Sequence, residues 1–391
     1  MSLLFTSKKI GKVEINNRFV RSGTYEGKAS ETGEVVDDLV EVYERLAKGG
    51  IGLIISSGSY VHPSGRALKY QIGIHDDIMI QGLKKIADAV HKNGSKFFIQ
   101  LLHAGRLTRK TITGCQPLAP TGRGRDPVYF IKPKEMNEED INNVLDCFKD
   151  AAVRAIKAGA DGIQLHAGHG YLINQFLSPF FNQRKDKWGG SDEKQFEFLK
   201  VLIKIIKKIV PDCFPVTVKL NTNDFISDKG ITLSLAEKYA VWLAQTGVDA
   251  IEVTCGNTWY SPMNICRGRV PTKEIVKNMP LLKKYFGYLL LKRKEGKYGF
   301  EEAYNLEAAR SIKAKLPAMP LMLVGGIRST DAMENILSEG YADFISMSRP
   351  FIKEPFLINR IKAGKSKTSL CKSCNNCTAD ILFKSNIDCK M

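Results

Sequence analysis

Short apolar runs alternate with amphipathic segments along most of the chain. Eight runs are dense in apolar and β-branched residues, which predicts buried strands. They occupy residues 17–23, 51–58, 95–106, 162–166, 214–221, 249–256, 320–327 and 342–350. Several intervening segments have apolar residues at helical spacing and typical helix boundaries. The predicted helices are Asp37–Lys48, Asp77–Asn93, Asn137–Ala158, Glu193–Val210, Leu233–Thr246, Asn305–Leu316 and Thr330–Glu339.

This alternation predicts an α/β fold with a parallel sheet, and eight strands favour a closed (β/α)8 TIM barrel over an open sheet. We assign residues 1–365 to the barrel and residues 366–391 to a short Cys-rich C-terminal extension. Two long connections, 107–136 and 257–304, interrupt the alternation. With 391 residues, 43% of them hydrophobic, the chain can bury the large core that such a barrel needs.

The charge of the chain narrows its partners only slightly. The formal net charge is +17, but the lysines are spread over the whole chain. Dispersed charge favours solvated helix faces over a nucleic-acid site, although it would also attract phosphate-bearing cofactors. No apolar run approaches the roughly 20 residues that span a bilayer, and the N-terminal residues lack a signal-peptide pattern. We therefore expect a cytoplasmic protein without a membrane or nucleic-acid partner.

The nine cysteines are unevenly placed. Cys371, Cys374, Cys377 and Cys389 crowd the last 21 residues, whereas the others are scattered. In a chain without a secretory signal, clustered thiols indicate a metal site before they indicate disulfides.

The fourth predicted strand ends in an unusual group of side chains. Its apolar residues give way to His166, His169 and Tyr171 within six residues. Functional side chains of such barrels lie at the carboxyl ends of the strands, so the three can face one ligand. The alternative is structural: the histidines would cap a helix, and the tyrosine would fill the barrel rim.

The seventh and eighth strands end in Gly325-Gly326 and Ser348-Arg349, where this fold usually binds a phosphate. The glycines would let the backbone approach closely, the helix N-terminus at Ser329–Thr330 would supply N–H donors, and Arg349 could bind the oxygens bidentately. Alternatively, the glycines make a tight turn and Arg349 pairs with a carboxylate. The other strand-end candidates are Gly23, Thr24, Tyr25, Ser57, Gly58, Gln100, His103, Lys219, Asn221 and Thr254.

These residues carry a resemblance to a known family. Residues 166–191 read HAGHGYLINQFLSPFFNQRKDKWGGS, and this run closely resembles the signature of the old yellow enzyme family of FMN-dependent oxidoreductases. Shorter matches are NRFV (17–20), QLLHAGR (100–106), VGGIR (324–328) and SMSRP (346–350). The resemblance covers about residues 1–365. Within the family, the chain resembles the branch of 2,4-dienoyl-CoA reductase and trimethylamine dehydrogenase.

The resemblance implies a bound FMN. The phosphate would lie on the Gly-Gly and Ser-Arg groups of the last two strands, and Gln100 would bind the pyrimidine edge. Lys219 stands where the family usually has arginine, near the flavin N1–C2=O, and can fill that role as a point charge. The implied FMN-binding residues are Gly23, Thr24, Gly58, Gln100, His166, Lys219, Gly325, Gly326, Ser348 and Arg349.

The resemblance also implies an activity. NADH or NADPH would reduce the flavin, which would then pass hydride from N5 to the activated alkene of a small-molecule substrate. His166 and His169 would hydrogen-bond the conjugated oxygen of that substrate, and Tyr171 would protonate the α-carbon as general acid. We also expect a homo-oligomer.

Three departures from the family pattern qualify these expectations. Tyr25 falls where many relatives have a Thr or Cys that tunes the flavin, which puts that contact in doubt. Gln195 replaces a common arginine, with a role expected in packing only. No histidine follows the sixth strand, where 2,4-dienoyl-CoA reductases use one, so a dienoyl-CoA substrate is not favoured.

The spacing Cys371-x2-Cys374-x2-Cys377-x11-Cys389 resembles the iron–sulfur motif of that branch. Four thiolates suit a 4Fe-4S cluster or a structural zinc. Three interpretations remain: a cluster served by an electron-transfer partner, a zinc that folds the tail, and free thiols.

Two other functions stay open. One is a flavin-dependent demethylase or dehydrogenase of the trimethylamine dehydrogenase type, with Trp259 and Tyr260 contributing to a cage for a cation. The other is a metal-dependent barrel hydrolase or lyase that uses His166 and His169 as ligands, although no carboxylate stands nearby in the sequence as a third ligand.

Overall fold

The computed structural model describes residues 2–226, 229–277, 281–381 and 386–391. Eight parallel strands form a closed barrel, because the first strand pairs with the eighth as well as with the second. In chain order these strands are β1 (Phe19–Arg21), β2 (Leu53–Ile55), β3 (Lys96–Leu102), β4 (Gly162–Ala167), β5 (Val216–Asn221), β6 (Ala250–Thr254), β7 (Leu321–Val324) and β8 (Phe344–Met347). The predicted TIM barrel is confirmed, although most strands are shorter than the apolar runs that predicted them.

Helices surround the barrel: α1 (Asp37–Lys48), α2 (Met79–His91), α3 (Glu138–Lys157), α4 (Asp192–Ile209), α5 (Leu233–Gln245), α6 (Leu306–Lys315), α7 (Thr330–Ser338) and α8 (Leu357–Lys362). The start of α3 follows from its sequence, because Asn137 and Asp140 form a capping box. Shorter helices are Lys110–Thr113, Leu172–Leu177, Pro262–Ile265, Thr272–Lys277, Arg349–Lys353 and Asn376–Asp380, with 3-10 turns at Leu3–Phe5 and Pro63–Gly65. A longer helix, Leu281–Lys292, lies in the predicted connection 257–304.

Three short strand pairings accompany the barrel. Lys8–Ile10 and Val13–Ile15 form an antiparallel hairpin whose Ile10 and Ile15 pack into the lower interior of the barrel. Ser59–Tyr60 pairs with β3, and Leu118–Ala119 pairs with Lys134–Glu135. None of the described helices has the length and apolarity to cross a bilayer.

The barrel interior changes from apolar to polar along the strands. Near their amino ends, Phe98, Ala250 and Phe344 share one apolar cluster with the hairpin. Two residues further along the same strands stand Gln100, Glu252 and Ser346, all buried. Because side chains alternate between the faces of a strand, residues two apart point into the barrel together. Polar groups thus fill the upper interior, next to the carboxyl ends where the site lies.

Candidate functional site

A cavity of ≈ 1090 Å³ opens at the carboxyl ends of the strands. Most small-molecule sites measure roughly 300–1,000 Å³, so this one has room for a cofactor and a second ligand. Its lining includes every residue that the family resemblance assigns to FMN binding or catalysis: Gly23, Thr24, Gly58, Gln100, His166, His169, Tyr171, Lys219, Gly325, Gly326, Ser348 and Arg349. Of the other strand-end candidates, Tyr25 and Thr254 line the cavity, whereas Ser57, His103 and Asn221 do not. The strands therefore bring these residues together, although they are far apart in the sequence.

His166 packs edge-on against both predicted partners. The centroid of its ring lies 5.1 Å from that of His169 and 4.9 Å from that of Tyr171. The backbone N–H of Gly168 donates to His166 Nδ1 at 3.3 Å, so in the neutral ring the proton is on Nε2. The Nε2 atom of His169 lies 2.8 Å from Thr254 Oγ1. Both rings are thus oriented by groups at the strand ends. These contacts, and not the capping of a helix, account for the positions of the two histidines.

The electrostatic surroundings keep both histidines neutral. Burial lowers the pKa of His166 and of His169 well below the usual value, and the positive charge of Lys219 lowers both further. A neutral imidazole donates one hydrogen bond without bringing a charge of its own. His166 can therefore donate from Nε2 to a ligand oxygen in the neutral pH range, and His169 can donate from Nδ1 when the Thr254 hydroxyl donates to its Nε2.

Tyr171 directly precedes the helix Leu172–Leu177, and its ring is half-buried against Ala67, Leu102 and Ala104. Burial raises the pKa of its phenol, and a hydrogen bond with Thr258 only partly offsets this. The hydroxyl therefore stays protonated at neutral pH. It is a proton donor of the kind that general acid catalysis requires.

Below the histidines lies a buried polar network that the sequence reasoning did not identify. The Nζ atom of Lys219 donates to Glu252 Oε2 at 3.0 Å and to Ser22 Oγ at 2.7 Å. Gln164 Nε2 donates to the same carboxylate at 3.1 Å, and Gln100 Nε2 donates to Gln164 Oε1 at 2.6 Å. The predicted residues Lys219 and Gln100 are thus joined through two others inside the barrel.

The predicted phosphate site is formed by backbone and by one arginine. Gly326 has φ 75°, and a Cβ atom there would lie 2.4 Å from the carbonyl oxygen of Glu301, so only glycine fits. Arg349 lines the cavity, and its Nη1 donates to the carbonyl oxygen of Arg267 at 3.0 Å and to Asn375 Oδ1. Arg349 is therefore held in place by other parts of the chain and has no carboxylate partner among the described residues.

One detail of the predicted phosphate site is wrong. The helix N-terminus at Ser329–Thr330 was expected to offer free N–H donors, but Glu302 occupies it. The carboxylate of Glu302 accepts from the N–H groups of Arg328 and Ser329 at 2.7 and 2.6 Å and from Ser329 Oγ at 2.9 Å. A carboxylate at a helix N-terminus is stabilised by the helix dipole. The N–H of Thr330 donates to the carbonyl oxygen of Lys367 at 2.9 Å, so neither Ser329 nor Thr330 has a free N–H for a phosphate.

The C-terminal tail packs against the phosphate end of the cavity. All four tail cysteines, Cys371, Cys374, Cys377 and Cys389, line a small second cavity of ≈ 20 Å³ together with Arg349. Burial raises the pKa of Cys371 and raises that of Cys377 to about 12. Within the described part of the chain, no three His, Cys, Asp or Glu side chains stand close enough to hold a metal ion. The structure thus gathers the four thiols without forming a ligand set.

Aromatic residues also line the cavity. Tyr25 lines it, and burial raises the pKa of its phenol. Tyr129 and Trp259 form an edge-to-face pair 5.5 Å apart, with the guanidinium of Arg109 4.4 Å from the Tyr129 ring. Trp259 therefore lines the site, whereas the predicted cage partner Tyr260 packs against Phe180 and Phe181, outside the residues that line the cavity.

The charged residues that line the cavity indicate which ligands it can bind. Of the described residues that line it, six are cationic and none is a carboxylate, although two of the cations pair with carboxylates outside the lining, Lys219 with Glu252 and Lys69 with Glu31. The cations are Lys69, Arg109, Lys219, Lys294, Arg328 and Arg349. Low-dielectric walls lined by one sign of charge concentrate the opposite sign, so the cavity favours anionic ligands such as phosphate-bearing cofactors.

Comparison with known proteins agrees with this geometry. The sequence model of the NADH:flavin oxidoreductase / NADH oxidase family matches residues 3–287 and 288–368. The NADH oxidase of Thermoanaerobacter brockii is 35% identical over 377 residues, which cover 95% of this chain and 52% of that protein. The 4,4'-dithiodibutanoate disulfide reductase of Rhodococcus erythropolis is 32% identical over 383 residues, covering 97% and 93% of the two chains.

A solved structure of 2-naphthoyl-CoA reductase with 2-naphthoyl-CoA matches with a TM-score of 0.85 at 27% identity, over 99% of this chain and 56% of that one. The chain thus spans about half the length of the NADH oxidase and of this reductase. Because the family's sequence model matches nearly the whole barrel, the chain belongs to the NADH:flavin oxidoreductase / NADH oxidase family, the old yellow enzyme family of flavin-dependent oxidoreductases that its motifs predicted.

Proposed function

We propose that this chain is an FMN-dependent NAD(P)H oxidoreductase of the ene reductase type. The observation that carries the proposal is the composition of one cavity, in which two neutral histidines and a protonated tyrosine share a lining with six cations and no described carboxylate. Such a lining suits a phosphorylated cofactor and a substrate whose oxygen gains negative charge during the reaction.

The residues present fit FMN. The backbone around Gly326 and the side chain of Arg349 would hold its phosphate, and Gln100 and Lys219 would hold the pyrimidine end. When bound, FMN supplies the exchange of hydride between a nicotinamide and an electron-poor acceptor. The protein contributes the binding, orientation and charge that such a reaction requires.

The chain's own groups suit the reduction of an activated alkene. His166 and His169 would donate hydrogen bonds to the conjugated oxygen of the substrate, where charge builds up, and neutral donors held in place by Gly168 and Thr254 need no reorganisation. Tyr171 would deliver a proton to the α-carbon of the substrate. Its raised pKa keeps this proton available at neutral pH.

The two alternative functions find less support. A demethylase or dehydrogenase acting on a cationic amine would have to bind its substrate in a cavity lined by six cations. A metal hydrolase or lyase would need a third ligand beside His166 and His169, and the described residues provide none. His169 is moreover bonded to Thr254.

The test is a pair of separated half-reactions. The purified protein should have the visible spectrum of a flavin, NADH or NADPH should bleach it without oxygen, and cyclohex-2-enone should restore it. A disulfide serves as the competing acceptor, because one relative is a disulfide reductase. Recovery of the spectrum with the disulfide and not with the enone would overturn the ene reductase assignment while leaving the flavin assignment intact.

We also propose that the tail binds a 4Fe-4S cluster and exchanges electrons with a separate partner, with zinc as the alternative. Four cysteines around one small cavity beside the phosphate end support this proposal. Protein purified without oxygen should contain about four iron and four sulfide per chain, and a Cys374→Ser variant should lose most of both. A Cys213→Ser variant, at an exposed thiol, is the matched control. Zinc in place of iron would contradict the proposal.

A further inference from the structure

Glu252 is a fully buried carboxylate at the centre of the barrel. It lies in the middle of β6 with no solvent exposure. Its Oε2 accepts from Lys219 and Gln164, and its Oε1 accepts from Ser346 Oγ at 2.6 Å. Burial acts to raise the pKa of this carboxyl group, but the charge of Lys219 and the hydrogen bonds lower it overall. Glu252 is therefore ionised, although burying a charge is costly unless it is fully paired.

The carboxylate determines how two glutamine amides point. An ionised carboxylate only accepts hydrogen bonds, so it receives the Nε2 group of Gln164 at 3.1 Å. The Oε1 atom of Gln164 then faces the other way and accepts from Gln100 Nε2 at 2.6 Å. Gly23 leaves the space that this amide occupies, because a Cβ atom there would lie only 2.7 Å from Gln100 Nε2. Gln100 thus keeps its Oε1 and its second N–H for a ligand in the cavity.

The carboxylate also offsets the cation at this end of the cavity. Lys219 lines the cavity and is almost completely buried, and the carboxylate of Glu252 lies 3.0 Å from its Nζ. Seen from the cavity, the pair has no net charge. An unpaired cation in this position would stabilise a negative ligand more strongly, because the interior screens charges much less than water does.

We propose that Glu252 is a positioning residue for the flavin. By offsetting the charge of Lys219, it would lower the affinity of the site for reduced flavin relative to oxidised flavin. Through Gln164, it would also orient Gln100. The inference rests on the proposed FMN site and deepens it. Reduction leaves negative charge at the pyrimidine end of the flavin, and this charge is what Lys219 and Glu252 influence with opposite signs.

The first experiment measures the midpoint potential of bound FMN in a Glu252→Gln variant by spectroelectrochemistry. The reduced flavin should gain about tenfold or more in binding relative to the oxidised flavin, which for a two-electron couple is a rise of about 30 mV or more. Lys219→Met should shift the potential in the opposite direction. Glu237→Gln, the same substitution on the outer helix α5, should leave it unchanged.

A double variant, Lys219→Met with Glu252→Gln, covers the case in which Glu252→Gln alone fails to fold. It leaves no buried charge unpaired, and its potential should lie above that of Lys219→Met and close to that of the wild type. A Gln164→Leu variant tests the orientation of Gln100. In this variant, FMN should bind more weakly in both redox states, and its midpoint potential should not rise.

Three results would overturn the inference. The first is an unchanged or lower midpoint potential in Glu252→Gln, and the second is a midpoint potential of the double variant that is no higher than that of Lys219→Met. The third is an unaltered FMN affinity in Gln164→Leu. Each of these requires that the wild-type protein binds FMN. A wild type that binds no FMN would instead refute the proposed function, so the two failures are distinguishable.

Discussion

Tyr171→Phe removes one oxygen atom from the site and little else. The ring packs against His166 at a centroid distance of 4.9 Å and against three apolar side chains, and phenylalanine keeps all of these contacts. The hydrogen bond of the hydroxyl with Thr258 is lost, but the residue as a whole is half-buried and its apolar contacts remain, so we expect a small change in the free energy of unfolding. The variant therefore tests the chemistry rather than the fold.

The loss should fall on one half-reaction. A positioned general acid contributes about 10²- to 10⁴-fold to rate, which corresponds to roughly 3–5 kcal/mol of barrier. Reoxidation by an enone should slow by this factor, whereas bleaching by NADH should stay close to the wild-type rate, because it needs no proton from the phenol. In the wild type, the reoxidation rate should not change with pH around neutrality, since burial raises the pKa of the phenol.

Stopped-flow absorbance at the flavin band measures both half-reactions separately. Tyr129→Phe is the matched control, because this phenol also lines the cavity but packs at Trp259 instead of at the histidines. It should leave the reoxidation rate nearly unchanged. Equal slowing of both half-reactions in Tyr171→Phe, or reoxidation at the wild-type rate, would refute the role of Tyr171 as proton donor.

Further predictions concern stability and cofactor binding. Burial lowers the pKa of His103 to about 3 and that of His166 well below its usual value. As pH falls below about 6.5, the two imidazoles bind protons in the unfolded chain before they do so in the folded chain. The free energy of unfolding therefore decreases as the pH is lowered below about 6.5. At pH 5 the free energy of unfolding should be lower by on the order of 2 kcal/mol for each group, as measured by urea titration of the flavin-free protein. A His103→Gln variant should show a smaller change of this free energy with pH. Stability that rises on acidification would contradict this prediction. Asn375→Gly keeps a left-handed backbone but removes a hydrogen bond to the charged arginine Arg349, so FMN should bind roughly tenfold more weakly in fluorescence titrations. Asn376→Ala is its control, and equal affinity in both variants would show that the tail does not position the arginine.

The fold could be predicted because its signals are local. Each barrel strand is a short apolar run and most barrel helices show a clear period, so counting the strands was sufficient to identify the closed barrel. The helices in 257–304, including the longer helix Leu281–Lys292, were not predicted. Its amphipathic character is weak, because Tyr285, Phe286 and Leu290 are exposed on it. A pattern method has little to detect in such a segment.

The site residues that were predicted from the sequence lie in a motif at the end of a strand. The site residues that were missed lie inside a strand. His166, Tyr171 and Lys219 stand at or near strand ends. Gln164 and Glu252 lie within β4 and β6, in runs that were interpreted as buried and mostly apolar strands. Their signal is a polar residue at every second position, as in Glu252 and Thr254, which marks the side of a strand that faces the barrel axis.

The role of Glu302 could not be predicted for a different reason. Its carboxylate reaches the helix N-terminus at Ser329 from the far end of the long connection, and no local pattern links the two. The same holds for Asn375, which reaches Arg349 from the tail. Contacts of this kind depend on tertiary packing between segments that the sequence leaves unrelated.

The central claim is that the cavity at the carboxyl ends of the strands binds FMN. The most direct measurement is the absorbance of the purified full chain between 350 and 500 nm (roughly the flavin band), followed by mass analysis of the material released on denaturation and by titration with added FMN. We expect one FMN per chain, bound with an affinity that falls when Arg349 is replaced by methionine. A colourless protein that takes up no added FMN would contradict it.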